Sequence, residues 1–159
     1  MKKYILVVAV VMLVVAMAGS TWAAVTTQTV NTTAQVLGLC KNGTNGTLTF
    51  APIDPSGVAN VTASSLGLTY SCSNGTTFNI TGITGGSSTS GTCASFNGIM
   101  TDGGGHTLNY ALTCAGGPYA GLGFTNPIAI VLNGTITPVQ FQNAFAATYT
   151  DTVTVEVTY

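Results

Sequence analysis

The stretch DTVTVEVTY, residues 151–159, alternates without a break. Val153, Val155, Val157 and Tyr159 fall on one parity, and Thr152, Thr154, Glu156 and Thr158 on the other. A period of two over this length is the pattern of a β-strand with one apolar and one polar face. Soluble proteins blunt an exposed apolar edge with Lys or Pro, because unpaired backbone groups beside an apolar face recruit other chains. Neither residue occurs between Thr152 and Tyr159. A strand written this way is expected to have its edge paired.

The same grammar runs outward through the chain. SSLGLTYSC predicts a strand with Leu66, Leu68, Tyr70 and Cys72 on one face, and TFNITGI another with Phe78 and Ile80 together. ASFNGIM and HTLNYALTC flank TDGGG, which predicts a hairpin whose second strand buries Leu108, Tyr110 and Leu112. Asn-Gly steps in KNGTNG and in NPIAIVLNGTITPV read as turns between short strands. Ahead of the first cysteine, VTTQTVNTTAQVLGL (25–39) is extended in character, with Val30, Thr32, Ala34 and Val36 on one parity. Thr and Val favour strands, Gly and Asn favour turns, and no long amphipathic helix is written. The expected fold is all-β, an immunoglobulin-like sandwich in one domain.

Residues 1–23 stand apart. Lys2 and Lys3 precede an apolar run from Tyr4 to Ala18, followed by GSTWAA. That is the layout of a secretory signal peptide with cleavage after Ala23, and the run is shorter than the roughly 20 residues a spanning helix needs. In the remainder, Lys41 is the one strong base against Asp54, Asp102, Asp151 and Glu156, and arginine is absent. Nucleic-acid binding needs several cations to neutralise phosphates, so it is excluded.

Four cysteines in an exported chain point to disulfides, and four allow three connectivities. The two non-crossing local pairs, Cys40–Cys72 and Cys93–Cys114, are favoured. Zinc is disfavoured, since there is no C-x-x-C pair and His106 is the only histidine. Asp102 and His106 in TDGGGH could meet across a turn, but no G-x-S-x-G accompanies them, and the bland reading is a solvated loop histidine. The glycine-rich stretches lack the Lys-Ser/Thr ending of a phosphate-binding loop. No catalytic, cofactor-binding or metal residue is expected. Sequons stand at Asn31, Asn42, Asn45, Asn60, Asn74, Asn79 and Asn133.

TAQVLGLC, LGLTYSC, LNYAL and ATYTDTVTVEVTY occur in an order that resembles the spore coat protein U domain family, which includes subunits of archaic chaperone–usher pili. The TDGGG turn and the cysteines at 93 and 114 lie outside that family's pattern. The resemblance implies an incomplete sandwich at 40–159, lacking its final strand, behind an N-terminal extension at 24–39. It implies that Val153, Val155, Val157 and Tyr159 edge an open groove, filled first by a periplasmic chaperone at an outer-membrane usher. The extension of the next subunit, with Val30, Thr32, Ala34 and Val36 as its inserted face, would then replace the chaperone. The expected product is a head-to-tail homopolymer, a cell-surface fimbria serving adhesion and biofilm formation. A secreted coat protein of the same family and a carbohydrate-binding adhesive module are the alternatives.

Overall fold

The computed structural model describes residues 26–87 and 89–159; the expected signal peptide lies outside the described residues, as do Ala24 and Val25 at the start of the expected extension. Thr26–Gln35 forms no strand, and every side chain in it is exposed. A strand is defined by its ladder, so an extended segment without a partner edge carries none. Val30, Thr32 and Ala34 therefore stand free in this segment.

From Val36 on, short antiparallel strands account for nearly all the regular structure. They are β1 (Cys40–Asn42), β2 (Val61–Ser64), β3 (Thr69–Cys72), β4 (Thr77–Gly85), β5 (Ser90–Gly91) and β6 (Phe96–Thr101). Next along the chain are β7 (Thr107–Cys114), β8 (Tyr119–Ala120), β9 (Ile128–Ala129), β10 (Leu132–Ile136) and β11 (Val153–Thr158). One short helix, α1 (Pro138–Phe141), seats Phe141 in the core. One sheet runs β2-β10-β7-β6; the others run β1-β3-β9 and β11-β4-β5, with β8 on the first residues of β4. Phe78, Ile83, Phe96, Ile130, Ile136 and Cys72 are fully buried. The all-β, immunoglobulin-like expectation holds. No helix of the described residues is long and apolar enough to cross a membrane.

The TDGGG hairpin forms as the alternation predicts. β6 and β7 pair from Phe96↔Leu112 to Thr101↔Thr107, and Leu108, Tyr110 and Leu112 are buried. Asp102 shapes the turn: its Oδ1 accepts the N–H groups of Gly104 and His106, while Gly103 and Gly105 take the positive φ that a side chain resists.

Three local expectations need correction. KNGTNG does not reverse the chain: Cys40–Asn42 pairs with Cys72–Tyr70, Gly43 N–H donates to Thr69, and Thr47 bridges Leu66. The pairing shifts by one residue along the way, so these Asn-Gly steps accommodate an irregularity instead of a hairpin. Asn133-Gly134 likewise lies inside β10, where Gly134 leaves room for the Leu48 and Phe50 side chains above it. Leu66 falls outside β3 and is exposed, so the apolar face there begins at Leu68. Composition marks Asn-Gly as flexible; it does not say whether a neighbouring side chain needs the space.

Disulfides join Cys40 to Cys72 and Cys93 to Cys114, with Cα separations of 4.1 and 4.6 Å. The first fastens β1 to β3 at a register pair; the second ties the approach to β6 to the end of β7. Closing loops of 32 and 21 residues contributes about 3–4 kcal/mol each in the chain-entropy account.

Candidate functional site: an open apolar cleft beside the last strand

β11 differs from every other long strand. Its alternation is intact, with the three valines inward, yet all three are only half-buried. The inward residues of β4, β6, β7 and β10 are mostly buried outright. β11 pairs with β4 along one edge, from Val153↔Gly85 to Thr158↔Asn79, with a bulge between Glu156 and Val157. Among the described residues no strand pairs with its other edge.

Beside that edge lies a cleft of about 1380 Å³. One rim is the run from Asn42 to Ile53, and the other is the run from Ala144 to Val155. Inward side chains of the large sheet, among them Met100, Leu108, Tyr110, Leu112, Leu132 and Ile136, line it between. Small-molecule pockets span roughly 300–1,000 Å³, and voids in a finished core are few and small. This volume, floored by buried residues of the large sheet, is larger than either.

Polar clamps fix the walls, whose lining mixes core apolar side chains with the threonines and asparagines of the two rims. Asp151, close before β11 opens, accepts the Tyr110 hydroxyl at 2.7 Å on Oδ2 and the Gly86 and Thr152 N–H groups on Oδ1. Burial, and next the hydrogen bond to Asp151 and its charge, push the Tyr110 phenol far above its ordinary value, so it remains a donor. Tyr149 donates to the Phe145 carbonyl at 2.7 Å, four residues back, in the manner of the tyrosine corner of immunoglobulin-like domains. The Phe145 ring in turn stacks on His106 at 4.0 Å. On the facing side Tyr70 donates to the Val155 carbonyl at 2.9 Å, and burial raises its pKa also.

Of the four edge residues expected from sequence, Val153 and Val155 line the cleft. Val157 continues their face beyond the bulge, and Tyr159 lies past the end of β11, exposed. Val30, Thr32, Ala34 and Val36 are exposed. Sequence reasoning did not find the Asn42–Ile53 rim or Tyr70. Within the rim, Thr47-Leu48-Thr49-Phe50 alternates as a strand would up to Pro52, yet it makes only the Thr47–Leu66 bridge and no ladder, so the strand expected there is not formed; Tyr70 reads as one more core aromatic.

Asp102 and His106 do meet, Nδ1 to Oδ2 at 2.6 Å, which lowers the Asp102 pKa chiefly through that hydrogen bond. Among the described residues no hydroxyl or thiol hydrogen-bonds the imidazole, so the pair closes a turn and stacks on Phe145. Among the described residues no three potential ligands cluster as a metal site.

No curated protein and no solved structure gives a significant match to the chain. Residues 26–156, nearly the whole chain beyond the expected signal peptide, match the family model of the Spore Coat Protein U domain. The match runs through both cleft rims and into β11, and the chain belongs to the Spore Coat Protein U domain family.

Proposed function

We propose that this protein is a structural subunit of a chaperone–usher surface pilus. Its cleft accepts a β-strand, first from a periplasmic chaperone and then from the N-terminal extension of the next subunit. One observation carries the reading: an apolar cleft of about 1380 Å³ runs beside the unpaired edge of β11. Strand addition satisfies both deficits at once, since main-chain hydrogen bonds take the edge and alternate side chains fill the cleft.

The extension has the matching composition. Val30, Thr32, Ala34 and Val36 share one face, carry no charge, and lie free of any ladder. Val30 and Val36 are 83% and 89% exposed, large apolar side chains that gain by burial elsewhere. Because donor and acceptor are different surfaces of one chain, the contact is head-to-tail and does not close, which gives a fibre.

Val30→Asp and Ala34→Arg test the assignment. Each places a charge on the inserted face, so both should abolish fibre formation while leaving the subunit–chaperone complex intact. Wild-type fibre yield from both variants would remove this segment, or this parity, from the assembly. A one-residue slip in register would turn the whole face outward, so the neighbouring Thr29 and Thr33 serve as the contrasting positions.

A further inference from the structure

Tyr70 spans the cleft. Its backbone is held on both sides, because Tyr70 pairs with Asn42 of β1 and with Ile128 of β9, and the Cys40–Cys72 disulfide lies two residues on. Its ring is buried, 7% exposed, and tilts against Phe78 at 6.1 Å. From that fixed base its hydroxyl reaches β11 and donates to the Val155 carbonyl at 2.9 Å. Among the described residues this is the one hydrogen bond to the backbone of β11 that does not come from β4.

That carbonyl belongs to the edge an added strand must use. A β-ladder forms when the N–H groups of the newcomer take the outward carbonyls of the resident strand. A hydroxyl already seated on Val155 competes for one of them at the middle of β11. We propose that Tyr70 is a latch on the cleft: its hydroxyl occupies the Val155 carbonyl while the cleft is empty, and releasing it is a step in strand uptake. The latch explains a polar reach across an apolar cleft that packing alone does not require. It also gives the empty state partial satisfaction of its exposed edge, where an unpaired carbonyl would recruit unspecific strands. Burial, which keeps the phenol protonated, keeps it a donor across the ordinary pH range.

The latch rests on the cleft being a strand acceptor, and the test separates the two. Mature wild-type subunit, Tyr70→Phe and Tyr119→Phe are mixed with a labelled synthetic peptide of residues 25–39, and uptake is followed by fluorescence anisotropy. Tyr119 also loses a tyrosyl–carbonyl bond, to Ala115, but does not line the cleft. Tyr70→Phe should take up peptide about fivefold faster than wild type, the factor that corresponds to one net hydrogen bond of about 1 kcal/mol. Tyr119→Phe should match wild type. Equal rates for Tyr70→Phe and wild type, or equal acceleration by Tyr119→Phe, would overturn the latch and leave the acceptor reading standing. A wild-type subunit that takes up no peptide would overturn both.

Discussion

The Tyr110 hydroxyl donates to Asp151 Oδ2 at 2.7 Å, joining the middle of β7 to the approach to β11. Through Asp151 Oδ1 the same carboxylate holds Gly86, just past the end of β4. One side chain thus fixes where the last strand starts relative to its partner β4 and to β7 of the other sheet, and so fixes the rim of the cleft.

Asp151→Ala should lower stability by about 1.5–3 kcal/mol, chiefly because it strands the buried Tyr110 hydroxyl, and also because the Gly86 and Thr152 N–H groups lose their charged acceptor. The check is a urea melt of residues 24–159. Asp151→Asn, which keeps an acceptor oxygen in place, should lose clearly less. Equal melts for wild type and Asp151→Ala would mean that water replaces the carboxylate without penalty.

Alkaline pH should weaken the fold through Tyr110. Its folded pKa is raised, chiefly by burial, so above about pH 10 the unfolded chain releases this proton while the folded chain keeps it. The unfolded state then binds fewer protons, and stability falls as pH rises. The contribution is fully present below the unfolded value and is lost progressively as pH climbs from there towards the folded one. Urea midpoints should therefore hold steady from pH 8 to 9.5 and drop from 10 to 11. Tyr110→Phe should show a shallower drop, and an identical drop would assign the effect to other groups.

Gly98→Ala tests the packing of the same ring. Gly98 lies opposite Tyr110 in the β6–β7 ladder, and a Cβ there would overlap the Tyr110 ring. Overpacking of this kind costs about 1–3 kcal/mol, so the variant should melt several degrees lower. A melt unchanged from wild type would show that the ring moves aside freely.

Much of this was legible in the sequence, for a definite reason. Strands half-buried in a sandwich alternate, and DTVTVEVTY and HTLNYALTC alternate cleanly, so β11 and β7 appear with their correct inward faces. The disulfides join the two local, non-crossing cysteine pairs, as expected of short loops between neighbouring strands. What remained hidden depends on space between distant segments. Asn133-Gly134 reads as a turn, but Gly134 sits mid-strand because Phe50 and Leu48 need the volume a side chain would take. In the Asn42–Ile53 rim the alternation of Leu48 and Phe50 with Thr47 and Thr49 suggests a strand, but nothing local says that it stays unladdered beside a cleft. Tyr70 is identical in pattern to any core tyrosine, and only the position of Val155 makes its hydroxyl meaningful.

The cleft as acceptor of a strand is the central claim, and supplying that strand in cis tests it most directly. A copy of Val25–Leu39 is fused after Tyr159 through a flexible Gly/Ser linker, and thermal unfolding of fused and unfused subunits is compared. Burying a valine side chain contributes about 1.5–3 kcal/mol, and the inserted face offers Val30 and Val36 with Ala34 and Thr32 between them. The fused chain should be a soluble monomer that forms no fibres and melts at least about 10 °C above the unfused one, the shift expected when roughly 3 kcal/mol survives the cost of ordering the strand. If the unfused subunit is already a stable cooperative monomer, and the fusion leaves its melting temperature unchanged, the cleft takes no strand from this extension and the account is wrong.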